Sequence, residues 1–96
     1  MLFYQLKNIR NFVLVCDKGS FQKAAESAFV SRQALSKSVS TLEKELGVIL
    51  VTRSKQGVHL TEFGKYFYKS VVPIFTQIVE MSRNVQSGNT QNLKSM

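Results

Sequence analysis

The stretch SFQKAAESAFVSRQALSKSVSTLEKEL, residues 20–46, decides the fold. It divides into a short helix, a tight turn and a longer helix. Ser20 stands where a hydroxyl can accept from an orphan backbone N–H at a helix start. Phe21, Ala24, Ala25 and Ala28 follow at helical spacing and make an apolar face of mostly small residues, which lets a second helix approach closely. Ser31 supplies the next N-cap signal after Phe29 and Val30, so the connection is only about three residues long, as in helix-turn-helix units.

The second helix has two faces. Leu35, Val39, Leu42 and Leu46 fall on one stripe, and Gln33, Ser36, Lys37, Ser40 and Lys44 fall on the other. The outer face offers amides, hydroxyls and cations, with no acid before Glu43 and Glu45. A helix that enters a major groove needs such a face, because base edges and phosphates are read by donors and cations. An ordinary solvated surface helix has the same look in isolation, so the flanking segments must decide.

Working outward, a first helix is expected over residues 2–18. Leu6, Ile9, Val13 and Cys16 recur at offsets of three and four, Phe12 widens the stripe, and Lys7, Asn8, Arg10 and Asn11 lie mostly away from it. Gly19 suits the end of that helix. Cys16 lies on the apolar stripe and reads as a buried structural thiol.

Downstream, Val48 to Thr52 and Val58 to Leu60 are apolar or β-branched runs around Arg53-Ser54-Lys55-Gln56-Gly57. They predict a small hairpin, a wing, with Arg53 and Lys55 at its tip for phosphate or minor-groove contact. His59 reads as a filler on a strand. Thr61 then caps a long helix, with Glu62 placed well for the N-terminal dipole. Phe63, Phe67, Ile74, Ile78, Met81 and Val85 form one apolar series along it, and Tyr68, Val72, Phe75 and Val79 form a second. One small domain cannot cover both, so part of the helix should pair with a second copy. Pro73 predicts a kink or a local break.

The 96 residues suit one modest core. Lysine and arginine total 13 against 6 acids, a net charge of +7 that favours a polyanionic partner. A single cysteine allows no internal disulfide and points to a reducing cytoplasm. No apolar run approaches the roughly 20 residues of a membrane span, and the first residues do not look like a signal peptide. Cys16, Asp17, His59 and the scattered glutamates make no nucleophile–base or metal-ligand spacing, so the expectation is no enzyme, no metal and no cofactor. The alternatives are a dimerisation or adaptor module that uses the last helix alone, and a basic membrane-surface module. The first predicts indifference to charge reversal at Lys37 and Arg53, the second binding to vesicles without binding to duplex.

Taken together, Gly19-Ser20-Phe21, Ala24-Ala25, Val30-Ser31, Ala34-Leu35-Ser36-Lys37, Leu42-Glu43, Leu46-Gly47, Arg53, Gly57-Val58 and Leu60-Thr61-Glu62 with Gly64 resemble the N-terminal DNA-binding domain of LysR-type transcriptional regulators. The resemblance covers about residues 2–80. It implies a mainly α fold with a small β-hairpin, a winged helix-turn-helix over 1–60 and a linker or dimerisation helix over 61–86. It further implies a homodimer on double-stranded DNA, with the recognition helix in the major groove and the wing at the minor groove. The polar segment 87–96 then reads as the lead into a sensor domain that these residues do not include, through which alone a small-molecule effector would act; the expectation is an isolated N-terminal fragment, with a naturally short regulator as the alternative. The expected DNA-binding residues are Ser20, Gln22, Lys23, Ser31, Arg32, Gln33, Ser36, Lys37, Ser40, Arg53 and Lys55. The expected dimer seam is Phe67, Ile74, Ile78, Met81 and Val85. Two features depart from the family pattern: Arg32-Gln33 replaces a frequent Gln-Pro, and Pro73 is unusual in the linker helix.

Overall fold

Local capping signals place the helices where the sequence puts them. In the computed structural model, which describes the backbone of residues 2–88 and the side chains of residues 6–88, α1 runs Leu2–Lys18, α2 Phe21–Ala28, α3 Arg32–Leu46 and α4 Glu62–Gln86. Ser20, Ser31 and Thr61 each accept from the backbone N–H three residues on, at 3.2, 3.0 and 3.0 Å. Gly19 and Gly47 close α1 and α3 with positive φ. The expected tail over 87–96 lies, from residue 89 onward, outside the described residues.

The core forms where α1, α2 and α3 cross. Phe12 and Val15 of α1, Phe21, Ala24 and Ala25 of α2, and Leu35, Val39 and Leu42 of α3 are buried together with Leu50 and Val51. Full burial of each larger side chain contributes about 1.5–3 kcal/mol. Two details differ from the periodicity reading. The centre of the α1 stripe is Phe12 and Val15, with Ile9, Val13 and Cys16 packed half-buried around it. Leu46 remains 44% exposed, because it is the last residue of α3 and the chain turns away at Gly47.

The hairpin is shorter than the apolar run suggested. Strand β1 is Val51–Ser54 and β2 is Gly57–Leu60, antiparallel, with Val51 opposite Leu60 and Arg53 opposite Val58. Residues 48–50 are not strand. The amides of Leu50 and Val51 donate instead to the Glu43 carboxylate, at 2.7 and 3.2 Å. The wing rests on the α1–α2 corner, where the Val58 amide donates to the Gly19 carbonyl at 3.2 Å.

Helix α4 runs unbroken through Pro73, without the expected local break. Pro73 and Lys69, whose carbonyl loses its donor, are both exposed, and water can satisfy that carbonyl.

Phe29 was expected only as part of the turn, yet it adopts a left-handed conformation at φ 56 and is 95% exposed. Its amide and that of Val30 close the end of α2 on Glu26 and Ala25 carbonyls. A left-handed L-residue costs about 1–2 kcal/mol, and this ring buries almost nothing in return. Phe29→Gly should therefore raise stability by about 0.5–1 kcal/mol, after the larger unfolded-state entropy of glycine is counted. Chemical denaturation of the two proteins measures it, and a destabilised glycine variant contradicts this reading of the turn.

Candidate nucleic-acid interface

Eight of the eleven residues expected to contact DNA border two adjoining hollows, and Lys23, Ser31 and Lys55 line neither. Arg32, Gln33, Ser36, Lys37 and Ser40 of α3 and Arg53 of β1 line a single open hollow of about 670 Å³. A smaller hollow of about 220 Å³ lies beside it, bounded by Ser20, Gln22, Arg32, Arg53 and Gly57. Arg53 and Arg32 border both. The acids of α3 keep off this face in the manner the pattern suggested, and Glu43 is turned to the backbone of residues 50 and 51.

Not every expected contact residue is equally free. Ser20 and Ser31 use their hydroxyl oxygens as helix caps. The Gln22 amide donates to Glu26 at 3.0 Å. Lys23, Arg32, Gln33 and Lys37 are exposed, while Ser36 and Ser40 are half-buried.

Arg53 is not at the wing tip. The tip is Lys55-Gln56, and only Lys55 of the expected pair projects there. Arg53 lies within the ladder, and its guanidinium carbon sits 3.9 Å from the centroid of the Phe21 ring. Its Nη2 donates to Ser36 Oγ at 2.6 Å. His59 lies opposite Thr52, with Nε2 3.0 Å from Ser54 Oγ on the other strand.

Helix α4 carries its two stripes differently. Phe67 packs on Phe12 with ring centroids 5.8 Å apart, and Tyr68 donates to the Asp17 carboxylate. Phe67 thus packs half-buried against this chain's own core. Tyr68, Val72 and Phe75 are half-buried beside α1, whereas Ile74, Ile78, Met81 and Val85 are exposed. The hydrogen bond to Asp17 raises the Tyr68 phenol above its ordinary pKa, with desolvation adding to it. Burial, then the neighbouring Asp17 charge, pushes the Cys16 thiol up to about 12, so it stays protonated and unreactive at neutral pH.

This arrangement of a capped helix pair, basic wing and long trailing helix has a family. Residues 6–65 match the model of bacterial regulatory helix-turn-helix proteins, lysR family. The chain belongs to the LysR family. It is 33% identical over 86 residues to the HTH-type transcriptional regulator BenM of Acinetobacter baylyi, covering 86% of this chain and 28% of BenM. Among solved structures, the BenM DNA-binding domain in complex with catB site 1 DNA superposes with a TM-score of 0.79 at 30% identity, covering 85% of this chain and 91% of that one. Full-length AphB, a virulence activator of Vibrio cholerae, superposes with a TM-score of 0.78 at 25% identity, covering 83% of this chain and 28% of its own. The chain spans about a third or less of the length of BenM and AphB.

Two braces of this LysR-family domain were not legible beforehand. Ser38 accepts from Asn11 Nδ2 at 2.9 Å and donates to Asn8 Oδ1 at 2.5 Å, which fixes the rotation of α3 on α1. By helical spacing both asparagines lie mostly away from the apolar stripe of α1. The second is Glu43, which ties α3 to the start of the wing. Its partners are seven and eight residues away across an irregular connection, so no short-range pattern marks them. No helix among the described residues is long and apolar enough to cross a membrane.

Proposed function

We propose that this chain binds double-stranded DNA sequence-specifically as a homodimer, as the DNA-reading part of a bacterial, cytoplasmic transcription regulator and not as an enzyme. The observation that carries this is the single acid-free hollow in which Arg32, Gln33, Ser36, Lys37 and Ser40 of one helix meet Arg53 of the wing. A helix face with these groups matches what base edges and phosphates require. The net charge of +7 supplies the sequence-independent attraction. The BenM and AphB structures support the reading by likeness of fold, and the former holds its domain on DNA.

In this reading Ser20, Gln22, Lys23 and Lys55 position the protein on phosphates, and residues 1–60 form the reader. Residues 61–86 pair the two copies through the exposed series on α4, which sets two recognition helices on half-sites in successive major grooves. A small-molecule effector would reach it through a separate sensor domain beyond the polar segment from residue 87.

Gln33 is the sharpest test. A DNA site is first selected from a random duplex pool, and the parent and Gln33→Ala are then compared on it and on a scrambled duplex. The variant should lose about 1–3 kcal/mol on the selected site and little on the scrambled one. Equal weakening on both duplexes removes Gln33 from base reading, and a parent that prefers no sequence removes the function.

A further inference from the structure

The Arg53 guanidinium is held by two elements besides its own strand. The face of Phe21, first residue of α2, lies 3.9 Å beneath it, and Ser36 of α3 accepts its proton at 2.6 Å. One side chain thereby joins α2, the recognition helix and the wing. Phe21 is buried and so cannot itself reach a duplex, but its π face fixes where the cation sits.

Ser36 is polarised by this contact. Hydroxyls in helices commonly donate back to a carbonyl three or four residues earlier. Ser27, Ser70, Thr76 and Ser82 all do so here, at 2.8 to 3.1 Å. Ser36 instead accepts from a cation, and among the described residues nothing takes its own proton. Accepting a charge-assisted hydrogen bond makes the remaining O–H a better donor. Ser36 lines the same hollow as Gln33 and Lys37.

We propose that Phe21, Arg53 and Ser36 form a latch that couples the wing to the recognition helix and commits Ser36 to donate to an acceptor on a base edge. Phe21 and Arg53 act on Ser36 as positioning residues, and Ser36 is the specificity residue. Suitable acceptors are guanine O6 or N7, adenine N7 and thymine O4. Arg53 spends one of its five N–H donors on Ser36 and leaves the others to the duplex. The latch also orders a long side chain before binding, which lowers the entropy lost on association. The base-reading part of this proposal rests on the DNA-binding function above; the latch itself does not.

The experiment has an arm for each. In the free chain, NMR should show Arg53 side-chain protons shifted upfield by the Phe21 ring and returned to ordinary positions in Phe21→Leu, but not in Phe21→Tyr. Ordinary shifts in the parent overturn the latch whatever the DNA results. On the selected duplex, Phe21→Leu should weaken the parent by about threefold to tenfold, the worth of a cation–π contact. The same substitution in an Arg53→Ala background should change little; equal loss in both backgrounds makes Phe21 merely structural and overturns its role. Repeating the site selection with Ser36→Ala and with Arg53→Ala should relax preference at the same acceptor-bearing position. A position that stays sharp in either variant overturns the assignment of Ser36. A parent without sequence preference defeats the proposed function instead, and the NMR arm still decides the latch.

Discussion

Replacing Ile78 by glutamate should convert a dimer into a folded monomer and lower affinity for a two-half-site duplex by about a hundredfold or more, the scale on which linked sites exceed single ones. Ile74, Ile78, Met81 and Val85 follow one another at intervals of four, three and four residues, which is the spacing of a helix-pairing seam. All four are exposed on α4, so the single chain leaves them wet. Burying each is worth about 1.5–3 kcal/mol to a dimer, and a charge in the middle of the seam reverses that gain. Because Ile78 is exposed, the fold of the single chain does not depend on it. Sedimentation at micromolar concentration should show a dimeric parent and a monomeric variant with unchanged helix content. A parent that stays monomeric, or a variant that stays dimeric, sinks this seam. Phe67→Glu is a different experiment: its ring packs on Phe12, and that variant should lose the fold along with the dimer.

The second large effect is on stability. A Cβ placed on Gly64 would stand 2.1 Å from the Leu50 carbonyl oxygen and 3.0 Å from its carbon. Those are backbone atoms and cannot swing aside. They are also anchored: the Thr61 amide donates to that same oxygen at 3.0 Å, and Glu43 holds the Leu50 amide. Gly64→Ala must therefore push the start of α4 away from the base of the wing, at a cost of about 3 kcal/mol or more, a large share of what a domain of this size has. Gly47→Ala is the matched control. Its Cβ meets nothing within 4 Å, so only the positive φ of 75° is penalised, by about 1–2 kcal/mol. Denaturant midpoints for the two variants compare them directly. If Gly64→Ala costs no more than Gly47→Ala, the close approach of α4 to residue 50 is wrong.

What the sequence determined alone was whatever depends on neighbours a few residues apart. Ser20, Ser31 and Thr61 capped the helices they were expected to cap, because a cap bond spans only three residues. The apolar periods of α1 to α3 named most of the core for the same reason, and the acid-poor face of α3 was visible as a pattern before any fold was known. The tertiary structure decided what depends on distant partners. Arg53 looked like a wing-tip cation until the fold brought Phe21 and Ser36, 32 and 17 positions away, against its head group. Asn8 and Asn11 looked like solvated residues until α3 laid Ser38 between them. The two stripes of α4 were equally apolar in sequence. Only the packing of α1 against the N-terminal part of the helix covered Phe67 and Tyr68, with Val72 and Phe75 half-buried, and left Ile74, Ile78, Met81 and Val85 exposed. Helical spacing says which side chains share a face, but which element covers that face is settled by chain segments far away in sequence, whose positions no local preference encodes.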